Sequence, residues 1–219
     1  MVDGVFEIAI GFVHAHLIVV DDGVVLVDTG LPGKSARIGR ALHDLRRKVG
    51  EVHTILLTHH HPDHRGGVAE VHRRSGARVV AHALDTPLID GSETLPRRGI
   101  MRVVGKIMGP VEPVTVDCVL QGDGPTPVRD ITAIHTPGHT AGHVSFLLDR
   151  DGGVLFAGDA AAGGRRRLSR TPRMVTDDPR QAANSVARLA ELRFQVAVFG
   201  HGSAVRDRAV DRFRELARA

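Results

Sequence analysis

The sequence predicts an α+β fold in which two β-sheets pack inside layers of helix. Strand-like runs precede helix-like runs in each half of the chain, the arrangement that lets sheets share a core and turn their outer faces to helices. The apolar runs are short and bounded by glycine, proline or charged turn residues, as buried strands are. Several of them end on a histidine or aspartate beside a glycine, which places polar chemistry repeatedly at strand ends.

Taken in order, residues 5–27 read as two strands around the Asp21-Asp22-Gly23 turn. Residues 33–49 carry Ile38, Ala41, Leu42, Leu45 and Val49 at helical spacing, with basic residues opposite. Residues 52–58 form a strand, 66–75 a helix opening at a glycine pair, and Val79-Val80-Ala81 a short strand. Residues 114–120, 127–134, 143–149 and 153–157 read as further strands. An amphipathic helix opened by Pro179 covers 179–192, followed by a strand at 195–199 and a terminal helix at 203–218. A length of 219 residues suits one domain with a sizeable core, and no repeat, low-complexity tract or linker divides it.

Composition narrows the function classes. No apolar segment approaches the roughly 18 residues that span a bilayer, and the N-terminal apolar residues are interrupted by Asp3, Glu7, Asp21 and Asp22, unlike a secretory signal. The single cysteine, Cys118, excludes an internal disulfide, fits a reducing cytoplasm, and reads otherwise as a small buried hydrophobe. The formal net charge is +4, while aromatic residues make up 3% and Tyr and Trp are absent. Single-stranded nucleic-acid binders stack bases on aromatics, so this balance argues against nucleic acid and for a small anionic substrate.

The run Thr58-His59-His60-His61-Pro62-Asp63-His64-Arg65-Gly66-Gly67 carries the chemistry. Four imidazoles and one carboxylate within six residues are ligands of the zinc class, and a solvated loop gains nothing from them. His59 and His61 point to one side of an extended segment and His60 to the other. Asp63 and His64 follow a proline-enforced turn and can face elsewhere, so one loop can feed two metal positions. Matching residues stand downstream: His139 within Thr136-Pro137-Gly138-His139, Asp159 after Ala157-Gly158, and His201 within Gly200-His201-Gly202. Asp28 ends the run Val24-Val25-Leu26-Val27. These strand ends argue for one shared site along a sheet edge. His14, His16, His43, His53, His72 and His82 fit ordinary strand or helix patterns as structural or surface histidines.

With these motifs in view, the chain resembles the metallo-β-lactamase-fold hydrolases. The elements that carry the resemblance are Asp28 in Val-Asp-Thr-Gly, the His-x-His-x-Asp-His run at 59–64, His139 in Thr-Pro-Gly-His-Thr, Asp159 in Ala-Gly-Asp and His201 in Gly-His-Gly. They occur in the family's order and span residues 28–201. The resemblance implies a four-layer αββα sandwich with a binuclear metal site at one edge. It implies that His59, His61 and His139 hold one metal, that Asp63, His64 and His201 hold the other, and that Asp159 bridges both. Asp28 would orient a ligand histidine from behind. His143, by its place beside His139, hydrogen-bonds a ligand or the substrate, or else helps satisfy the turn. The implied cofactors are two divalent ions, zinc foremost, with iron or manganese as alternatives. The implied chemistry is hydrolysis by a metal-bridging hydroxide, with Asp63 orienting it or relaying its proton.

Within that family, a small ester, thioester or lactone is the expected substrate. Glyoxalase II usually carries a C-terminal helical domain that binds glutathione, whereas this chain ends about 18 residues after His201. Acyl-homoserine-lactone lactonases use a pocket tyrosine, which is absent here. The competing readings are an iron-dependent persulfide dioxygenase-like oxidoreductase and a phosphodiesterase or nuclease. Two stretches stand outside the metal framework. Residues 86–113, broken by four prolines, read as an inserted lid with a helix near 97–108, or else as a packing helix or homodimer contact. Arg165, Arg166 and Arg167 either capture an anionic substrate through forked hydrogen bonds or form a solvated loop.

Overall fold

A computed structural model describes residues 2–94, 109–164 and 166–219. The expected helix near 97–108 and Arg165 lie outside the described residues. Two sheets face each other. The first runs β1 (Val5–Ile10), β2 (Val13–Val20), β3 (Gly23–Val27), β4 (Val52–Leu56), β5 (Arg78–His82) and β6 (Cys118–Leu120), hydrogen-bonded in that spatial order. β1 to β3 are antiparallel neighbours, and β3 to β6 pair in parallel. The second sheet places β11 (Val196–Val198), β10 (Val154–Phe156), β9 (Val144–Leu148), β8 (Ile131–His135) and β7 (Gly124–Pro125) side by side, parallel only between β10 and β11.

Side-chain alternation builds the layers. In β3, Val24 and Leu26 face one way into a core shared with Ile38 and Leu42 of α1 (Ala36–Asp44) and Val68 and Val71 of α3 (Val68–Ser75). Val25 and Val27 face the other way and meet Phe146, Phe156 and Val198 of the opposing sheet. Beyond that sheet, Leu155 and Ala197 pack on Val186 and Leu189 of α5 (Pro179–Leu189) and Phe213 of α6 (Ala209–Ala217). Three apolar cores between four layers give the αββα sandwich. Strands buried on both faces read as unbroken apolar runs, which is why Val24–Val27 shows no polar alternation.

The structure differs from the sequence reading in detail. Residues 5–27 form three strands, because Gly11, at φ +74, turns the chain again before Phe12. The helix expected at 33–49 closes at Asp44, and the one expected at 203–218 begins only at Ala209, after Val205 has paired with Ala197. Cys118 is half-buried against the inter-sheet core. Among the described residues, no helix is long and apolar enough to cross a membrane.

Candidate metal centre

Parallel strands deliver their C-terminal ends to one edge. β4 ends at Leu56, β10 at Phe156 and β11 at Val198, and His59, Asp159 and His201 each stand three residues further on. Asp28 directly follows β3. His139 lies in the turn between β8 and β9, tied down by α5. The Asp177 and Asp178 amides donate to the carbonyls of His139 and Gly138 at 3.2 and 2.8 Å, and the Ser185 hydroxyl donates to Pro137 at 2.7 Å. Asp178 also caps α5, accepting from the Arg180 and Gln181 amides. The short helix α2 (Pro62–Arg65) sets Asp63 and His64. It is too short to persist alone and is docked on β3, the Thr29 amide donating to the His64 carbonyl at 2.7 Å and the Gly66 amide to Gly30 at 2.8 Å.

Ligand-type atoms converge in three overlapping groups, each within 4.8 Å: His59, His61 and His139; His59, His64 and Asp159; and Asp63, His64 and His201. Asp159 touches both ends of the cluster. Its Oδ2 lies 3.4 Å from His139 Nε2 and 3.4 Å from His201 Nε2, and its Oδ1 lies 3.4 Å from His64 Nε2. His139 Nε2 and His61 Nδ1 face each other at 3.0 Å, and His201 Nε2 is 3.4 Å from Asp63 Oδ2. Four buried atoms here, His59 Nε2, His64 Nε2, His139 Nδ1 and Asp159 Oδ1, have no hydrogen-bond partner. Buried polar atoms are ordinarily paired, so the orphans on His59, His64 and Asp159, whose ligand atoms lie within 4.8 Å of one another, fit a cation. Gly200 makes room for them, since a Cβ there would run into His64 and Asp159.

A second ring of bonds orients the imidazoles. Asp28, itself buried, takes the Thr58 amide at 2.9 Å, the Thr58 hydroxyl at 2.7 Å and His64 Nδ1 at 2.8 Å. The Thr58 oxygen in turn accepts from His59 Nδ1 at 3.0 Å, so one carboxylate orients two histidine rings, and neither Nε2 has a hydrogen-bond partner. His201 Nδ1 donates to the Phe12 carbonyl at 3.2 Å, and the Phe12 ring, 62% exposed, stacks on the His201 ring. His143 is fully buried. Its Nε2 accepts the Asp159 amide at 2.9 Å and its Nδ1 donates to Thr136 at 2.8 Å, so it holds the backbone of Asp159.

Electrostatics divide the cluster. Burial keeps His59 well below its ordinary value, and burial with His60 close by takes His61 to about 4. Burial lowers His139 to about 2 and His143 to about 4. These are neutral imidazoles with available lone pairs. Burial opposes the charged form of His64, but Asp159, Asp28 and Asp63 outweigh it and raise the group to about 9. His201 likewise rises to about 10 against its burial, through Asp159 and Asp63. Burial works against the ionised forms of Asp63 and Asp159 too. Bonding to His201 and the charge of His64 still hold Asp63 at about 2, and His64, His201 and His139 hold Asp159 far below the carboxylate range.

Asp85, which the sequence reading passed over, locks the site from behind. It stands three residues past β5 and is buried. It accepts from the His60 amide at 2.9 Å, the Thr140 hydroxyl at 2.9 Å and the Gly142 amide at 2.8 Å, and its carboxylate lies 3.1 Å from His60 Nδ1. His60 therefore serves Asp85 on the far side of its loop, and the His loop is tied to the His139 turn. The spacing shared by His59, Asp159 and His201 would have found it. Of the arginines, Arg166 is exposed, and Arg167 lines a cavity with Arg206 and Arg212.

The family model of the metallo-beta-lactamase superfamily matches residues 9–201. The chain belongs to that superfamily. It is 30% identical over 202 residues to the probable metallo-hydrolase YflN of Bacillus subtilis (strain 168), covering 81% of this chain and 75% of that protein. It is 30% identical over 189 residues to a hydroxyacylglutathione hydrolase of Methylobacillus flagellatus, covering 86% of this chain and 58% of that protein. The chain thus spans little more than half the length of that enzyme. Among solved structures, BJP-1, a subclass B3 metallo-beta-lactamase of Bradyrhizobium japonicum, superposes with a TM-score of 0.72 at 25% identity, covering 91% of this chain and 75% of that one. As a superfamily member with this His/Asp cluster, the chain is a metal-dependent hydrolase.

Proposed function

We propose that the chain is a binuclear zinc hydrolase of the cytoplasm that opens a small ester, thioester or lactone carrying an anionic group. The observation that carries this reading is the overlap of the three ligand groups, with Asp159 reaching histidines of both outer groups. His59, His61 and His139 would hold one ion and Asp63, His64 and His201 the other, with Asp159 within reach of both groups. When bound, such a pair supplies Lewis acidity and a hydroxide at neutral pH. The protein does the rest. Asp28 and Thr58 fix the ring orientations of His59 and His64, and His143 fixes Asp159. Asp63, ionised and partly exposed, orients the attacking water and receives its proton. Phe12 offers an apolar surface beside His201 for the substrate's acyl or leaving group.

The test is a panel of thioester, lactone, β-lactam and phosphodiester substrates after zinc, manganese and iron reconstitution. Thioester, ester or lactone turnover is expected with zinc at two ions per chain. Asp63→Ala and His61→Ala should each lower it by roughly a hundredfold or more while the far-UV spectrum stays unchanged. Near-normal turnover by metal-loaded Asp63→Ala, or one iron per chain with persulfide-dependent oxygen uptake, overturns the reading.

A further inference from the structure

Beside the metal centre lies a cavity of about 360 Å³ with three guanidinium groups in its walls, Arg167, Arg206 and Arg212. That volume is in the range of small-ligand pockets and exceeds what a bare oxyanion needs. Gly164, Leu168 and Ser203 line it as well, and no carboxylate does. Arg212 has an ion pair with Glu215 at 3.4 Å. Arg167 and Arg206 are exposed, and Arg206 is near enough to Glu7 for its charge to be felt there.

The cavity is built on fixed backbone. Ala162 and Ser169 exchange hydrogen bonds at 2.8 and 3.0 Å, closing the loop that carries Arg167. Leu168 anchors the loop in the core between the second sheet and its helices. Gly164 lies close against the Arg167 carbonyl, which a Cβ there would strike. The Gly163 amide donates to the His201 carbonyl at 2.9 Å, and the Ser203 amide to Gly163 at 3.3 Å. Ser203 is two residues beyond His201, within roughly 7 Å along the chain.

We propose that this cavity binds the phosphate of a phosphorylated ester and so holds the anionic tail of the substrate hydrolysed at the neighbouring metal centre. The substrate part of this inference rests on the hydrolase reading above; the phosphate site does not. Arginines lining one cavity offer forked N–H donors that match phosphate oxygens, and a multiply charged anion offsets their shared positive charge. The spare volume accommodates the group that carries the phosphate. The net charge of +4 acquires a local purpose here.

The test uses zinc-loaded protein and two readouts. Phenyl phosphate binding is measured by calorimetry for the natural chain, for Arg167→Gln/Arg206→Gln and for Arg167→Lys/Arg206→Lys. The glutamine variant is expected to bind at least tenfold more weakly, with zinc content and melting temperature retained, and the lysine variant to keep most of the affinity. In parallel, kcat/KM is measured for 4-acetoxyphenyl phosphate and for its uncharged methyl ether. Their ratio should fall at least tenfold in the glutamine variant. Equal phenyl phosphate affinity in all three proteins overturns the site. Weakened binding with an unchanged ratio overturns the tail role and leaves a separate phosphate-ester effector as the ligand. Absence of turnover on both esters counts against the hydrolase reading, while calorimetry still judges the cavity.

Discussion

At the scale of single residues, Asp28 decides how the centre is prepared. It sits at φ +60, a conformation that aspartate and asparagine tolerate better than other side chains. That makes Asp28→Asn a clean probe, since the backbone can stay while the charge goes. The amide can serve the Thr58 amide with its oxygen but can no longer take both the Thr58 hydroxyl and His64 Nδ1 as charged acceptors. Zinc affinity should fall about 10–100-fold in a competition titration with a chelator, with little change in melting temperature of the metal-free protein. An unchanged affinity would mean that Asp28 shapes only the turn. Asp85 works by the same logic one layer further out. It takes two backbone amides and the Thr140 hydroxyl, which no neutral side chain of its size could satisfy together. The chain placed it in plain view, yet it lacks the adjacent glycine that marks Asp159 and His201, so the pattern read from the sequence did not select it.

At the scale of elements, the short helix α2 is where local and long-range forces meet. Pro62 at its first position and the His61 cap start it, but four residues supply too few internal bonds to hold it. Its last residue, Arg65, acts as a strap. It donates to the carbonyls of His60 at 2.9 Å, Leu88 at 2.9 Å and Glu112 at 3.3 Å, joining the His loop to both described ends of the 86–113 segment. Arg65→Met keeps the apolar stem and removes the donors. Hydrogen exchange at the Ile89 and Val114 amides should then quicken, while zinc stoichiometry stays at two. Unaltered exchange would show that α4 (Thr86–Asp90) is held by its own bonds to Asp85.

At the scale of the whole molecule, the metal-free centre holds two protons that cations displace. His64 and His201 are raised to about 9 and about 10, so at pH 7.5 both rings are imidazoliums, each with one proton more than its neutral form. Zinc ligation needs the neutral rings, so binding should release about two protons per chain, measurable by calorimetry in buffers of different ionisation enthalpy. The same groups set the pH dependence of the metal-free fold. Their folded values lie above the ordinary 6.5, so the stability they contribute is complete below pH 6.5 and is lost as pH rises through about 9 and 10. Asp63 runs the other way: its contribution is present above 3.8 and is lost as pH falls through about 2. The melting temperature of metal-free protein should therefore drop between pH 6.5 and 10, and zinc-loaded protein should not follow it. Parallel curves would contradict the charge assignment.

The sequence by itself determined the ligand chemistry and the layer pattern. Seven His and Asp side chains, three of them beside glycines, and apolar runs too short for anything but strands and amphipathic helices, are local facts that survive without coordinates. Only the tertiary structure decided which imidazoles are neutral and which charged, that His143 serves the Asp159 backbone, that Asp85 binds two loops, and that Arg167 lines one cavity with Arg206 and Arg212. The reason is physical. Residue type is written in the chain, but burial, the direction of a ring nitrogen and the nearness of a second charge arise from packing segments far apart in sequence. Those three quantities set protonation and binding.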